Sequence, residues 1–209
     1  MLCLFSAKGG VGCSVAAAAT AGISSRRAPT LLVDLHGELS SILGLEPAAD
    51  GLSGWFQTEA AAPDLLRRLE VPVTDRLSLL PNGGRRSLGA PDRYQLLADL
   101  LRVEQRQVVV DVGTLGLSAV PLVAQASRSV LVTRACYLAL RAAQSGPSPD
   151  HVLLVREAGR ALNANDVAAA IGAPVAAVVP WDPAVARAVD AGVLLRRLPR
   201  SLNSLEAVL

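Results

Sequence analysis

The chain has 209 residues, enough for one domain with a sizeable core, and a formal net charge of +2 that is too small to announce a nucleic-acid partner by itself. Hydrophobic residues make up 51% and aromatics only 3%, so the core is built of Ala, Leu and Val. Three widely spaced cysteines (Cys3, Cys13, Cys136) fit a reducing cytoplasm better than a disulfide framework, and the absence of a C-x-x-C argues against an iron–sulfur site.

The first residues lack the basic start and long apolar stretch of a signal peptide. No run of about 18 apolar residues is free of charge, so no transmembrane helix is expected. A short apolar run (Leu2, Leu4, Phe5) enters the turn Lys8-Gly9-Gly10-Val11-Gly12 and leaves through Cys13 and Ser14 into an alanine-rich helix, roughly 13–25. Thr30 to Asp34 then reads as a buried strand ending in a carboxylate. Further apolar strands are predicted at Leu77 to Leu80, Val108 to Val112, Val130 to Thr133, Val152 to Val155 and Val175 to Val179. Continuous apolar strands separated by helical patterns predict an α/β fold, a mainly parallel sheet covered by helices on both faces, as a single domain over residues 1–209. Loops fall at Glu46 to Asp64, Pro81 to Pro91 and Gln144 to Asp150.

In such a sheet ligands sit beyond the carboxyl ends of the strands, where the glycine-rich turn, Asp34 and Asp111 all fall. A phosphate chain is held by successive backbone N–H groups and the positive end of a helix, and glycines let the backbone come close. Ser14 supplies the hydroxyl expected on magnesium, but Cys13 stands where a phosphate-loop lysine belongs. A thiol at a helix N-terminus reads either as a reactive thiolate or as a small residue filling the vacancy. Asp111, followed by Val112-Gly113, suits a magnesium-polarising carboxylate, with the Gly113 amide near a terminal phosphate; a helix cap is the alternative. Lys8 is the only lysine among 20 basic residues. That choice suits a compact point charge placed on a phosphate, which an arginine would not supply in the same form.

KGGVG-x-S after a first strand resembles the ParA/MinD group of deviant Walker A P-loop ATPases, whose pattern is K-G-G-x-G-K-[ST]. The resemblance implies a P-loop NTPase fold, ATP and Mg as cofactors, and a homodimer in which Lys8 reaches the nucleotide of the partner. It assigns nucleotide binding to Lys8, Gly9, Gly10, Val11, Gly12, Cys13, Ser14, Gly113, Pro180 and Asp182, and metal binding to Ser14, Asp34 and Asp111. Lys8 and His36 take the catalytic positions. His36 replaces the second acid of the family's D-x-D segment, the one that orients the attacking water; a solvent-facing loop residue is the bland reading.

The stretch GRALNANDVAAAIGAPVAAVVPWDPAVARAVDAG is similar to the TadZ/CpaE branch, which places the Flp (Tad) pilus secretion machine and often carries imperfect phosphate loops. In the wider family the turn Pro180-Trp181-Asp182 lies against adenine, while Val155-Arg156 departs from the Asn-Arg that commonly ends the preceding strand. The resemblance therefore implies a nucleotide-responsive positioning protein that recruits a secretion or pilus ATPase and assembly proteins, in the cytoplasm, at the inner face of the membrane or at a cell pole. Losing the loop lysine costs binding about one to two decades, whereas losing transition-state stabilisation costs roughly 100 to 1,000-fold in rate; hydrolysis is expected to be slow or absent. A nucleotide-independent pseudo-ATPase scaffold and a DNA partition factor are the alternatives. The arginine pairs Arg26-Arg27, Arg67-Arg68 and Arg85-Arg86 would serve non-specific DNA contact in the last case and are otherwise solvated faces. The basic, leucine-bearing end from Val193 reads as a packed terminal segment or as a weak contact with an anionic membrane.

Overall fold

Strands β1 (Leu2–Ser6), β2 (Thr30–Asp34), β4 (Leu77–Leu80), β5 (Gln107–Thr114), β6 (Arg128–Arg134), β7 (His151–Arg156) and β8 (Val175–Pro180) run parallel, and β3 (Val71–Thr74) pairs antiparallel with β4 at one edge. The structure is a computed structural model that describes residues 1–58, 63–84 and 90–209. Strand order is β3-β4-β2-β5-β1-β6-β7-β8, so β1 lies inside the sheet between β5 and β6. The mainly parallel sheet covered by helices on both faces, expected from the alternating pattern, is the one observed.

Alternation along each strand sends its side chains to opposite faces of the sheet, where they build three hydrophobic clusters, the smallest around Val152, Leu154 and Val167. On one face Leu4, Leu32, Leu79, Val109, Val132 and Leu153 pack beneath α1 (Cys13–Ser25) and the C-terminal 3-10 segment Arg200–Val208. On the other, Cys3, Phe5, Val33 and Val110 meet α3 (Leu52–Trp55), α5 (Pro91–Arg102) and α6 (Val120–Ala124). The remaining helices are α2 (Leu39–Ile42), α4 (Pro63–Arg68), α7 (Tyr137–Ala143), α8 (Ala164–Ile171) and α9 (Pro183–Asp190). Alanines 16–19 and 21 are each at most 5% exposed; their small side chains let α1 lie close on the sheet and still be covered by the C-terminal segment.

Two strands depart from the sequence reading. β3 carries no strand signal in the sequence, because its segment VPVT contains Pro72 and only half-buries its side chains, features tolerated at a sheet edge. β5 does not stop near Asp111 but runs on to Thr114. A register shift pairs Leu4 with Asp111 and Phe5 with Gly113, leaving Val112 as the extra residue of a bulge.

The C-terminal segment is packed. Leu194, Leu202, Leu205 and Val208 are 0–3% exposed, while Arg196, Arg197 and Arg200 face solvent. Each buried aliphatic side chain contributes roughly 1.5–3 kcal/mol, so releasing this face to a lipid surface would cost several such contributions. Arg27 meets Glu206 across a solvent-exposed ion pair at 3.4 Å; Arg85 and Arg86 lie outside the described residues. Among the described residues no helix is long and apolar enough to cross a membrane.

Candidate functional site

The turn joining β1 to α1 is shaped by positive φ at Gly10 (76°) and Gly12 (93°), backbone angles that glycine adopts without steric cost. Gly12 is the N-cap of α1, no side chain caps that end, and no acidic residue occupies the first turn. The positive end of a 13-residue helix therefore opens onto a cavity of about 250 Å³. Its walls are the loop from Gly9 to Val15, with Ser6, His36, Glu38, Gly113, Thr114 and Arg134.

Asp111 lies behind this cavity, 0% exposed and register-paired with Asp34 on β2. Its Oδ1 accepts the Gly113 amide at 3.0 Å, while Oδ2 is buried without a hydrogen-bond partner. Burial pushes its pKa up to about 6; the neighbouring Ser14 hydroxyl works against that rise, and the charge of Asp34 adds to it. The helix-cap alternative does not apply, because the chain stays in β5 beyond Asp111.

Asp34 is likewise buried and its pKa raised by desolvation, but its oxygens are engaged: Oδ1 accepts the amides of His36 (3.0 Å) and Gly37 (2.6 Å), and Oδ2 that of Leu39 (3.0 Å). It shapes the loop that presents His36 and Glu38. Two adjacent buried carboxylates, one with a free oxygen beside a serine hydroxyl, form an oxygen donor set that fits Mg²⁺. Ser14 and Asp111 would hold the ion, with Asp34 reinforcing the local negative charge.

Cys13 is 6% exposed, and its thiol pKa is raised well above the ordinary value by burial first and the Asp111 charge second. It is therefore no thiolate nucleophile, but a small side chain packed over the carboxylate. His36 lies against the Gly113 backbone, with Nε2 3.6 Å from Glu38 Oε1. Gly113 has φ +65°, and any Cβ there would run into the imidazole. Gly113→Ala should accordingly displace His36 and destabilise the protein by about 1–2 kcal/mol from backbone conformation alone, measurable by urea denaturation.

Lys8 is exposed at the rim of the loop, makes no ion pair among the described residues, and does not line its own chain's cavity. Pro180 and Asp182 border a separate, apolar cavity of about 280 Å³ that shares Val11, Gly12, Val15 and Arg134 with the loop. The Asp182 carboxylate is the N-cap of α9, accepting from the Ala184 amide and the Ser201 hydroxyl, each at 2.8 Å; Trp181 is 57% exposed. The structure thus brings Gly9 to Ser14, His36 and Gly113 around one cavity with Asp111 behind it, and leaves Pro180 and Asp182 to the neighbouring one.

Two residues at the cavity were not anticipated from the sequence. Glu38 follows His36 by two positions and shares its wall, a spacing that the D-x-D comparison passes over. Arg134 ends the apolar strand VLVTR at the same edge of the sheet as the loop, so its charge at a strand's carboxyl end was the available signal.

No protein-family model and no curated protein matches the chain. Solved structures do. A ParA family ATPase from Chlorobium tepidum superposes with a TM-score of 0.77 at 19% identity, covering 99% of this chain and 95% of that one. The septum site-determining protein MinD from Pyrococcus horikoshii, complexed with Mg-ADP, gives 0.77 at 17% identity, covering 99% and 93%. An ATP complex of a McdA variant from Cyanothece gives 0.71 at 17% identity, covering 99% and 94%. At these identities the likeness establishes the fold, that of the ParA/MinD type of P-loop NTPase.

Proposed function

We propose that the chain binds ATP with Mg²⁺ at the β1–α1 loop and uses the bound nucleotide to form a face-to-face homodimer. The observation that carries this reading is the buried, unpartnered Oδ2 of Asp111 beside Ser14, behind an uncapped helix N-terminus. A carboxylate oxygen left bare in a core costs free energy unless a cation satisfies it. In this arrangement the amides of the glycine turn hold the phosphates, and the Ser14 hydroxyl and Asp111 hold the metal. Magnesium, when bound, neutralises phosphate charge. Apolar walls at Val11, Val15, Val179 and Pro180 are positioned to take the base.

Hydrolysis is slow or absent on this account. Cys13 offers no charge to a developing negative centre, and His36 stands where a carboxylate would orient water. Recruitment is the output: the dimer surface gathers a secretion or pilus ATPase and its assembly proteins, of the Flp/Tad kind, at the inner membrane face or a cell pole. A septum site-determining protein and a putative plasmid partition protein of the same fold support a positioning role. The degenerate phosphate loop supports the TadZ/CpaE branch.

Calorimetric titration with ATP tests the binding. The expected result is one site per chain, with affinity falling at least about tenfold when magnesium is chelated. No binding heat at millimolar ATP would overturn the reading in favour of a nucleotide-independent scaffold. Duplex binding that weakens steeply with salt would instead favour a DNA partition factor.

A further inference from the structure

The loop cavity is lined by a single guanidinium or ammonium group among the described residues, and it does not come from the loop. Arg134 is the last residue of β6, the strand that pairs with β1 on the side away from β5. Register pairs Phe5 with Leu131, so Arg134 stands three residues further along, about 10 Å up the sheet, level with the glycine turn. Its Nη2 donates to the Gly10 carbonyl at 2.6 Å, and its Nη1 to Glu157 Oε1 at 2.6 Å. Nε–H is buried and has no partner. Glu157 is shared with Arg160, whose Nε lies 2.7 Å from Oε2, so two guanidinium groups flank one carboxylate and the cluster keeps a net positive charge.

We infer that Arg134 is the phosphate-binding cation of this site, supplying from the neighbouring strand the charge that the loop lacks at Cys13. The inference rests on the nucleotide reading above and deepens it. Arg134 stands on the wall common to the phosphate-loop cavity and the apolar cavity, where a nucleotide lying across both would pass its phosphate chain. Only two of its five N–H donors are engaged; besides the buried Nε–H, one N–H on each of Nη1 and Nη2 is left for phosphate oxygens. Glu157 and the Gly10 carbonyl hold the side chain in place before ligand arrives, which limits the ordering cost of binding. At 30% side-chain exposure the charge is partly shielded from water and acts more strongly than a fully solvated one. The ligand class is a nucleoside di- or triphosphate, recognised through its phosphates.

The test compares wild type, Arg134→Gln, Cys13→Lys and the double variant. ATP with Mg²⁺ is titrated by calorimetry, and inorganic tripolyphosphate competes for the same site. Arg134→Gln should lower affinity for both about 10- to 100-fold. Adding Cys13→Lys should recover at least tenfold of that loss, because a lysine returned to the loop replaces the missing charge. A purely packing role for Arg134 would give Cys13→Lys the same gain in both backgrounds, whereas a phosphate-binding role makes that gain larger in the Arg134→Gln background than in wild type. Binding by Arg134→Gln within threefold of wild type overturns the inference, as does a double variant that stays as weak as the single one. Should Arg134→Gln melt early, the difference between those two gains still decides between the roles. If wild type binds neither ATP nor tripolyphosphate at millimolar concentration, the nucleotide reading itself fails and the inference falls with it.

Discussion

Lys8→Ala is expected to abolish ATP-driven dimerisation while leaving the single chain's affinity for ATP within about threefold of wild type. Lys8 is exposed, unpaired among the described residues and absent from the walls of its own cavity, so its removal takes little from binding in cis. In a two-fold symmetric dimer each change occurs twice. A charge-assisted hydrogen bond contributes about 1.5–3 kcal/mol, so two of them amount to roughly 3–6 kcal/mol, or about two to four decades in the dimer dissociation constant. Lys8→Arg should recover only part of this, because a planar fork replaces a compact ammonium. Sedimentation velocity with and without ATP and Mg²⁺ reads the effect. Wild-type dimerisation in the Lys8→Ala protein would remove Lys8 from the switch.

Asp111→Asn should have opposite effects on stability and on ligand binding. With a pKa near 6 in the folded protein against an ordinary value of 3.8, Asp111 binds its proton more tightly folded than unfolded. The stability linked to that proton is full below about pH 4 and is lost as pH rises through about 6. At pH 7 the ionised, ligand-free carboxylate is therefore a liability of roughly 3 kcal/mol, about two pKa shifts of 1.36 kcal/mol each. Asparagine carries no charge to desolvate, so the ligand-free variant should melt several degrees higher, at about 2–4 °C per kcal/mol for a chain of this size. The same variant should lose the magnesium-dependent part of ATP binding. Thermal melts with and without ATP and Mg²⁺ check both halves; an apo variant that melts below wild type would show that Asp111 is held for packing.

The stretch from Lys8 to Ser14 was legible because everything it needs is local: a strand, glycines where φ must be positive, and a helix with nothing capping its start. Asp111 was legible as a strand-terminal acid, although the bulge that carries β5 past it depends on pairing with β1. Arg134 was not, since its place at the loop follows from β6 lying beside β1, a non-local register that no short motif encodes. Asp34 looked like a free ligand, and only the path of the backbone reveals three amides already on its oxygens. Asp182 followed by Pro183 carries the signature of a helix start, and the structure uses it that way at α9. β3 is not legible because an edge strand tolerates the proline and the polar face that argue against a strand elsewhere.

Control by nucleotide of the association of two copies of this chain, as proposed above, is read by light scattering on the wild-type protein. One chain's mass is expected without ligand, twice that mass with ATP and Mg²⁺, and a return to the single mass when magnesium is chelated. A mass that is the same in all three conditions, while calorimetry shows ATP bound, would contradict it.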